Sequence, residues 1–230
     1  MPEQPQVTVI VPALNEQETL GEVVDRLLAL DLRLQIIVID DGSTDSTPEV
    51  LASYGDRILV LRNERPGGKG RAIRQAIPHA LGIATIIQDA DLEYAPEDIP
   101  LLVEPILNGQ AAVVYGSRFT EGLPKGMALP NKVVNVLLAW AVRLLYWTKI
   151  TDEATCYKAF RTDLLRRMTL TCKRFEFCPE VTAKAIRLKE KIVERPIRYL
   201  PRSKTAGKKI RWTDAPDAFW TLLKNRFTKI

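Results

Sequence analysis

Two acidic clusters carry most of the chemistry this sequence offers. Asp89-Ala90-Asp91-Leu92-Glu93 directly follows an apolar run, 83 to 87, that reads as a buried strand. In an extended segment, alternation puts residues 89, 91 and 93 on one side. Carboxylates so gathered repel one another unless a cation sits among them. Hard oxygen ligands select Mg²⁺ or Mn²⁺, ions that keep waters and bind substrate phosphates. The same pentapeptide also fits a solvated acidic turn that caps the next helix. Asp40-Asp41-Gly42-Ser43-Thr44-Asp45 ends a second strand. A carboxylate there suits a base or a ribose hydroxyl, although Asp and Ser are also ordinary capping residues.

Other chemistries fail on spacing. Pro66-Gly67-Gly68-Lys69-Gly70-Arg71 contains a Gly-Lys pair without the following Ser or Thr or the earlier Gly of an NTPase P-loop, and no G-x-G-x-x-G opens the first helix. A P-loop kinase, an ATPase or a dinucleotide oxidoreductase is therefore disfavoured. His79 is the sole histidine, and no H-E-x-x-H, G-x-S-x-G or Cys-His pairing is present. Zinc hydrolases and Ser-His-Asp enzymes are set aside with them.

The acidic clusters need strands to hold them, and the hydrophobic pattern supplies these. Runs at 7–11, 35–39, 57–61, 83–87, 111–115 and 192–199 read as strands. Helices are expected over 16–30, 45–54, 70–81, 97–107, 133–147, 176–188 and 214–227. This alternation predicts an α/β fold, a mostly parallel sheet with helices on both faces and amphipathic helices toward the C-terminus. Ligands of such sheets gather at the carboxyl ends of the strands, where both acidic clusters fall. The stretch 133–147 is almost wholly apolar and includes Trp140, Tyr146 and Trp147. It is too short to span a bilayer and suits either an interfacial helix or a buried core helix.

Composition narrows the partners. Hydrophobic residues make up 46% and charged residues 27% of the 230, an ordinary globular balance that excludes disorder and fibrous folds. Lys and Arg number 33 against 28 acids, for a net charge of +5. The excess collects between 184 and 211, where Glu190 and Glu194 are the only acids. That stretch is either a site for a phosphate-bearing partner or a solvated basic face. Aromatics near it are sparse, chiefly Tyr199 and Trp212, so nucleic acid is not expected. Cys156, Cys172 and Cys178 are odd in number and lack C-x-x-C spacing, which argues for reduced thiols rather than a disulfide framework. No secretory leader follows Met1, and no run reaches the length of a spanning helix. A cytoplasmic protein, peripherally bound to the membrane, is expected.

Taken in order, the motifs resemble those of family 2 inverting glycosyltransferases of GT-A fold, which is Rossmann-like. The resemblance rests on Val11-Pro12-Ala13-Leu14-Asn15-Glu16, the Asp40–Asp45 turn, Gly68-Lys69-Gly70-Arg71-Ala72, Asp89-Ala90-Asp91 and Gly116-Ser117-Arg118-Phe119. Further stretches, Thr151–Arg161, Phe175–Glu180 and Pro196–Arg202 with Gly207-Lys208-Lys209, are similar to the polyprenol-phosphate branch, of dolichol-phosphate mannosyltransferase type. Leu14 stands where an aromatic residue is frequent in that family, and Lys158 where Arg is frequent. The resemblance implies that Pro12, Leu14 and Glu16 line the nucleotide pocket and that Val38 and Asp40 meet base and ribose. It also implies that Asp89, Ala90 and Asp91 face the diphosphate and metal, with Glu93 as a further metal ligand.

The expected reaction is metal-dependent, inverting transfer of a hexose to a polyprenyl phosphate. GDP-mannose is the favoured donor and UDP-glucose the second. A hydroxyl acceptor would require a base, with Asp152 or Glu180 as candidates; a non-catalytic nucleotide or anionic-lipid binder is the other alternative. Arg118, Lys132, Arg202 and Lys208 are the candidate cations for the acceptor phosphate. Arg118 has a competing role in pairing with the carboxylates, and Lys208 as one more solvated lysine. Asp152 is expected to orient the sugar or a neighbouring cation, or to cap a helix. Residues 1–230 are read as one domain, with 7–118 as the nucleotide-sugar and metal half and 119–230 as the acceptor half. A membrane surface, and a membrane-embedded partner protein, complete the expected surroundings.

Overall fold

The computed structural model describes residues 4–122, 124, 126–201 and 215–228. Seven strands form one sheet: β1 (Val7–Ala13), β2 (Leu34–Asp40), β3 (Leu59–Arg62), β4 (Ala84–Ile87), β5 (Val113–Ser117), β6 (Lys158–Arg161) and β7 (Ile192–Pro196). Their order is β3-β2-β1-β4-β6-β5-β7. All pairings are parallel except those of β6, which runs antiparallel to β4 and to β5. The central β-branched runs are buried almost without interruption, as strands covered on both faces require.

The helices are α1 (Leu20–Leu28), α2 (Thr47–Ala52), α3 (Lys69–Ala76), α4 (Ile99–Leu107), α5 (Leu129–Tyr146), α6 (Thr162–Arg167), α7 (Phe177–Arg187) and α8 (Ala215–Phe227). Helix α1 begins four residues later than the pattern suggested. The amides of Asn15, Glu16 and Gln17 are bonded instead to Ser43 Oγ, Thr47 Oγ1 and Asp45 Oδ2, at 2.9, 3.0 and 3.3 Å. Side-chain acceptors from a neighbouring loop thus hold the segment in a turn. Helix α3 ends at Ala76 and tightens into a 3₁₀ turn over Ile77–His79, where Pro78 removes a donor. Strand β7 stops at Pro196, short of the expected 199, and Tyr199 pairs with Tyr94 in an isolated bridge.

Strand β6 and helix α6 had no expectation in the sequence. Lys158 opens β6 yet is fully buried, its ammonium donating to Glu153 O at 2.6 Å and lying 3.7 Å from the centre of the Tyr115 ring. Those partners compensate the buried cation, while its charge hides the strand from any hydropathy reading.

Helix α5 is buried on one face and exposed on the other. Leu138, Ala139, Val142 and Tyr146 face inward, and Tyr146 donates to Leu222 O of α8 at 2.6 Å. Val133, Leu137, Trp140 and Leu144 lie exposed on the same helix, and Trp147 follows in a left-handed cap, 86% exposed. Among the described residues no helix is long and apolar enough to cross a membrane. The three cysteines are unpaired and buried.

Candidate active site

A cleft of about 800 Å³ opens where β1 and β4 end, bounded by the start of α3, the segment after β5, one face of α5 and the start of α7. Pro12, Leu14 and Glu16 line it from β1. Asp89, Ala90, Asp91 and Glu93 line it from β4, and Arg118 from β5. The structure therefore gathers eight of the expected residues on one concavity.

The glycine loop before α3 is clamped by a carboxylate. Both oxygens of the buried Asp41 accept from the Gly67 amide, at 3.0 and 2.9 Å, and Oδ2 accepts from the Gly68 amide at 2.7 Å. These amides are spent on the protein itself. Gly68 has φ of +92°, and a Cβ there would lie 2.5 Å from Lys173 O, so only glycine fits. The loop delivers Lys69, whose ammonium donates to Asp89 Oδ1 and, at 3.0 Å, to Cys156 Sγ. Burial works against its charge, but Asp89 and then Cys156 outweigh it and hold the amine well above the ordinary lysine value.

The acidic segment does not stay extended. Leu92 has φ of +58°, and the turn is closed by Asp91 Oδ1 accepting from the Glu93 amide at 3.1 Å. Glu93 Oε2 accepts from Tyr199 Oη at 3.3 Å, and its carbonyl from the Leu200 amide at 2.9 Å. The expected convergence of 89, 91 and 93 is thereby corrected. Among the described residues no group of three or more His, Cys, Asp or Glu is placed to hold a metal ion. Asp89 and Asp91 remain hard oxygen donors on the wall of one cleft. That donor set fits Mg²⁺ or Mn²⁺ bound through one or two carboxylates and completed by phosphate oxygens and water.

Across the cleft, Arg118 is gripped by Asp152. Nε and Nη2 donate to the two carboxylate oxygens at 2.7 Å each, and the Arg118 amide adds a bond of 3.0 Å. The guanidinium also lies 5.1 Å from the centre of the Tyr199 ring. Asp152 is fully buried. Glu194 of β7 fixes the segment in turn, accepting from the Thr151 and Asp152 amides at 2.9 and 3.1 Å. Glu180 is likewise consumed: it accepts from Thr171 N, Cys172 N and the Lys184 ammonium, the last at 2.6 Å.

Several expectations are not met at the cleft wall. Val38 is fully buried in the core, and Asp40, equally buried, accepts from the Ser43 amide at 2.8 Å and pairs with Arg62 at 3.3 Å. Strand β2 is an inner strand of the sheet, paired with β1 and β3 at both positions, and both side chains are covered in the interior. Lys132 lies in the first turn of α5 beside Asn131, which lines the cleft where Lys132 does not. Arg202 and Lys208 fall outside the described residues. The sequence reading missed Asp41 and Lys69 as individuals, although each stood inside a motif it had singled out.

Glu153 also lines the cleft and is fully buried, with Oε2 lacking a hydrogen-bond partner. Burial raises its carboxyl to about 7 against the opposing pull of Lys158, with Cys178 and Asp152 adding to the rise. Between its ordinary value of 4.5 and about 7 the native state keeps a proton that the unfolded chain has released. Stability should therefore fall as pH rises through that window, by on the order of 3 kcal/mol in total. Glu153→Gln should flatten this slope and melt higher than the parent at pH 8. Parallel slopes in thermal melts from pH 4.5 to 8 would reject the assignment.

Comparison with known proteins adds the decisive observation. The pattern of the family described as "Glycosyl transferase family 2" matches residues 8–169. The chain belongs to that family. As a glycosyltransferase it has relatives of known description. It is 29% identical over 215 residues to the UDP-N-acetylglucosamine–dolichyl-phosphate N-acetylglucosaminyltransferase of Methanococcus voltae, covering 84% of this chain and 85% of that one. It is 29% identical over 215 residues to a dolichol-phosphate mannosyltransferase of Pyrococcus furiosus, covering 89% and 60%. This glycosyltransferase spans between half and two thirds of the length of several curated relatives it matches. Among solved structures, glucosyl-3-phosphoglycerate synthase of Mycobacterium tuberculosis with Mn²⁺, UDP-glucose and phosphoglyceric acid superposes with a TM-score of 0.74. The identity is 22%, and the match covers 98% of this chain and 81% of that one. That likeness shows the fold, which is GT-A.

Proposed function

We propose that this glycosyltransferase moves a hexose from a nucleoside diphosphate sugar to a polyprenyl phosphate, with inversion at the anomeric carbon. Mannose from GDP-mannose is the favoured donor reading, and UDP-glucose the second. The observation that carries the acceptor class is the commitment of both carboxylates, Asp152 and Glu180, that a hydroxyl acceptor was expected to use as base. Asp152 is locked to Arg118, and Glu180 to Lys184 and two amides. A hydroxyl acceptor must lose a proton as it attacks, whereas a phosphomonoester, with a second pKa of about 6, is already anionic. The names of the Methanococcus and Pyrococcus relatives point to the same acceptor class.

Asp89 and Asp91 would hold Mg²⁺ or Mn²⁺, which supplies charge neutralisation at the departing diphosphate. The chain's own residues do the rest. Pro12, Leu14 and Glu16 wall the nucleotide end, and Arg118, its fork held rigid by Asp152, offers a fixed cation to the incoming phosphate. The exposed aromatic and aliphatic side chains of α5, with Trp147 after them, give the polyprenyl tail a membrane surface from which to approach. On this reading the enzyme works at the cytoplasmic face of a membrane.

Radiolabelled nucleotide sugars offered with polyprenyl phosphate or with free polyprenol separate the readings. Label should reach only the phosphate acceptor. Equal labelling of the alcohol would overturn the acceptor assignment.

A further inference from the structure

Lys69 has no part in the scheme so far, although it occupies a central position. Its backbone is fixed by the Asp41 clamp on the two preceding amides. Behind it, a Cβ on Gly70 would lie 2.8 Å from Arg174 O, so α3 starts in close contact with the segment before α7. From this rigid base the ammonium reaches Asp89, one of the two carboxylates placed above as metal ligands, and its other partner is the Cys156 thiol at 3.0 Å. The side chain is only 13% exposed and that of Asp89 15%. An ammonium and a divalent ion compete for the negative charge of the same carboxylate. Displaced from Asp89, the ammonium would keep only a thiol, a weak acceptor, and a largely buried cation left so poorly matched is costly.

We propose that Lys69 is the resident counter-cation of Asp89 and couples metal binding to diphosphate binding. A divalent ion arriving alone must evict the ammonium without compensation. An ion arriving with a nucleoside diphosphate brings oxygens to which the evicted ammonium can donate. Because linkage is reciprocal, the diphosphate tightens the metal by the same factor as the metal tightens the diphosphate. The inference rests on the metal reading above.

Calorimetric titration of the full chain with Mn²⁺, alone and with GDP or UDP present, tests it. Lys69→Met should bind Mn²⁺ alone about tenfold more tightly than the parent and bind nucleotide more weakly at saturating Mn²⁺. Lys69→Arg, which keeps the cation, should show no gain, and adding Asp89→Asn to Lys69→Met should cancel it. An unchanged or weaker Mn²⁺ affinity in Lys69→Met, in protein that melts like the parent, overturns the coupling. Should Lys69→Met lose its melting transition, Lys69→Gln is read by the same criterion. The metal reading is judged separately, by the parent protein: it fails if Mn²⁺ is not taken up even with nucleotide present.

Discussion

Asp91→Ala is expected to lower sugar transfer by about two to three orders of magnitude, the scale of losing one preorganised charge-stabilising contact, while the fold survives. The geometry sets both halves of this expectation. Asp91 sits on the cleft wall at the end of β4, and its bond to the Glu93 amide closes a local turn rather than a core network. Removing it should shift the melting temperature little. Asp91→Asn separates the two contributions, because the amide oxygen can still close the turn but carries no charge. It should be nearly as inactive as the alanine variant, and EDTA should reproduce the loss in the parent. Full transfer in Asp91→Ala, with EDTA equally harmless, would remove the metal role altogether.

Asp152→Ala should instead act on stability. Asp152 is fully buried and Arg118 only 7% exposed, and three bonds of 2.7 to 3.0 Å join them. Deleting one member of such a pair leaves the other charge buried and unmatched, at a cost of roughly 3–5 kcal/mol. In a chain of this size that corresponds to a fall in melting temperature of about 10 °C. Adding Arg118→Met should restore part of the loss, because no uncompensated charge then remains. Urea unfolding of the two single variants and the double variant gives the coupling directly. A melt of Asp152→Ala indistinguishable from the parent would show that the pair carries no such weight.

What could be read from the sequence follows its periodicities. Strands β1, β2 and β4 announce themselves because they are buried on both faces and read as unbroken β-branched runs. Strand β6 does not, since it begins with a lysine whose partners, Glu153 O and the Tyr115 ring, come from other parts of the chain. The site divides in the same way. Asp89 and Asp91 could be placed from their position after a strand, but the turn at Leu92 that aims Glu93 toward Tyr199 depends on a left-handed backbone that alternation cannot foresee. The importance of Asp41 and Lys69 lies in contacts of long sequence separation, with Gly67 and Gly68 for one and Asp89 and Cys156 for the other. Spacing along the chain carries no trace of these.

The antiparallel placement of β6 bears on how the molecule assembles. Strands β4 and β5 are consecutive in the chain yet never pair; residues 158–161 fill the slot between them. A nascent chain released only as far as β5 therefore carries an open seam whose unpaired strand edges invite association with other chains. The connection that leads into β6 also brings Asp152 to Arg118 and Cys156 to Lys69. Zipping the seam and wiring the catalytic basin thus become a single late event, so a ribosome-bound fragment ending before Asp152 has neither.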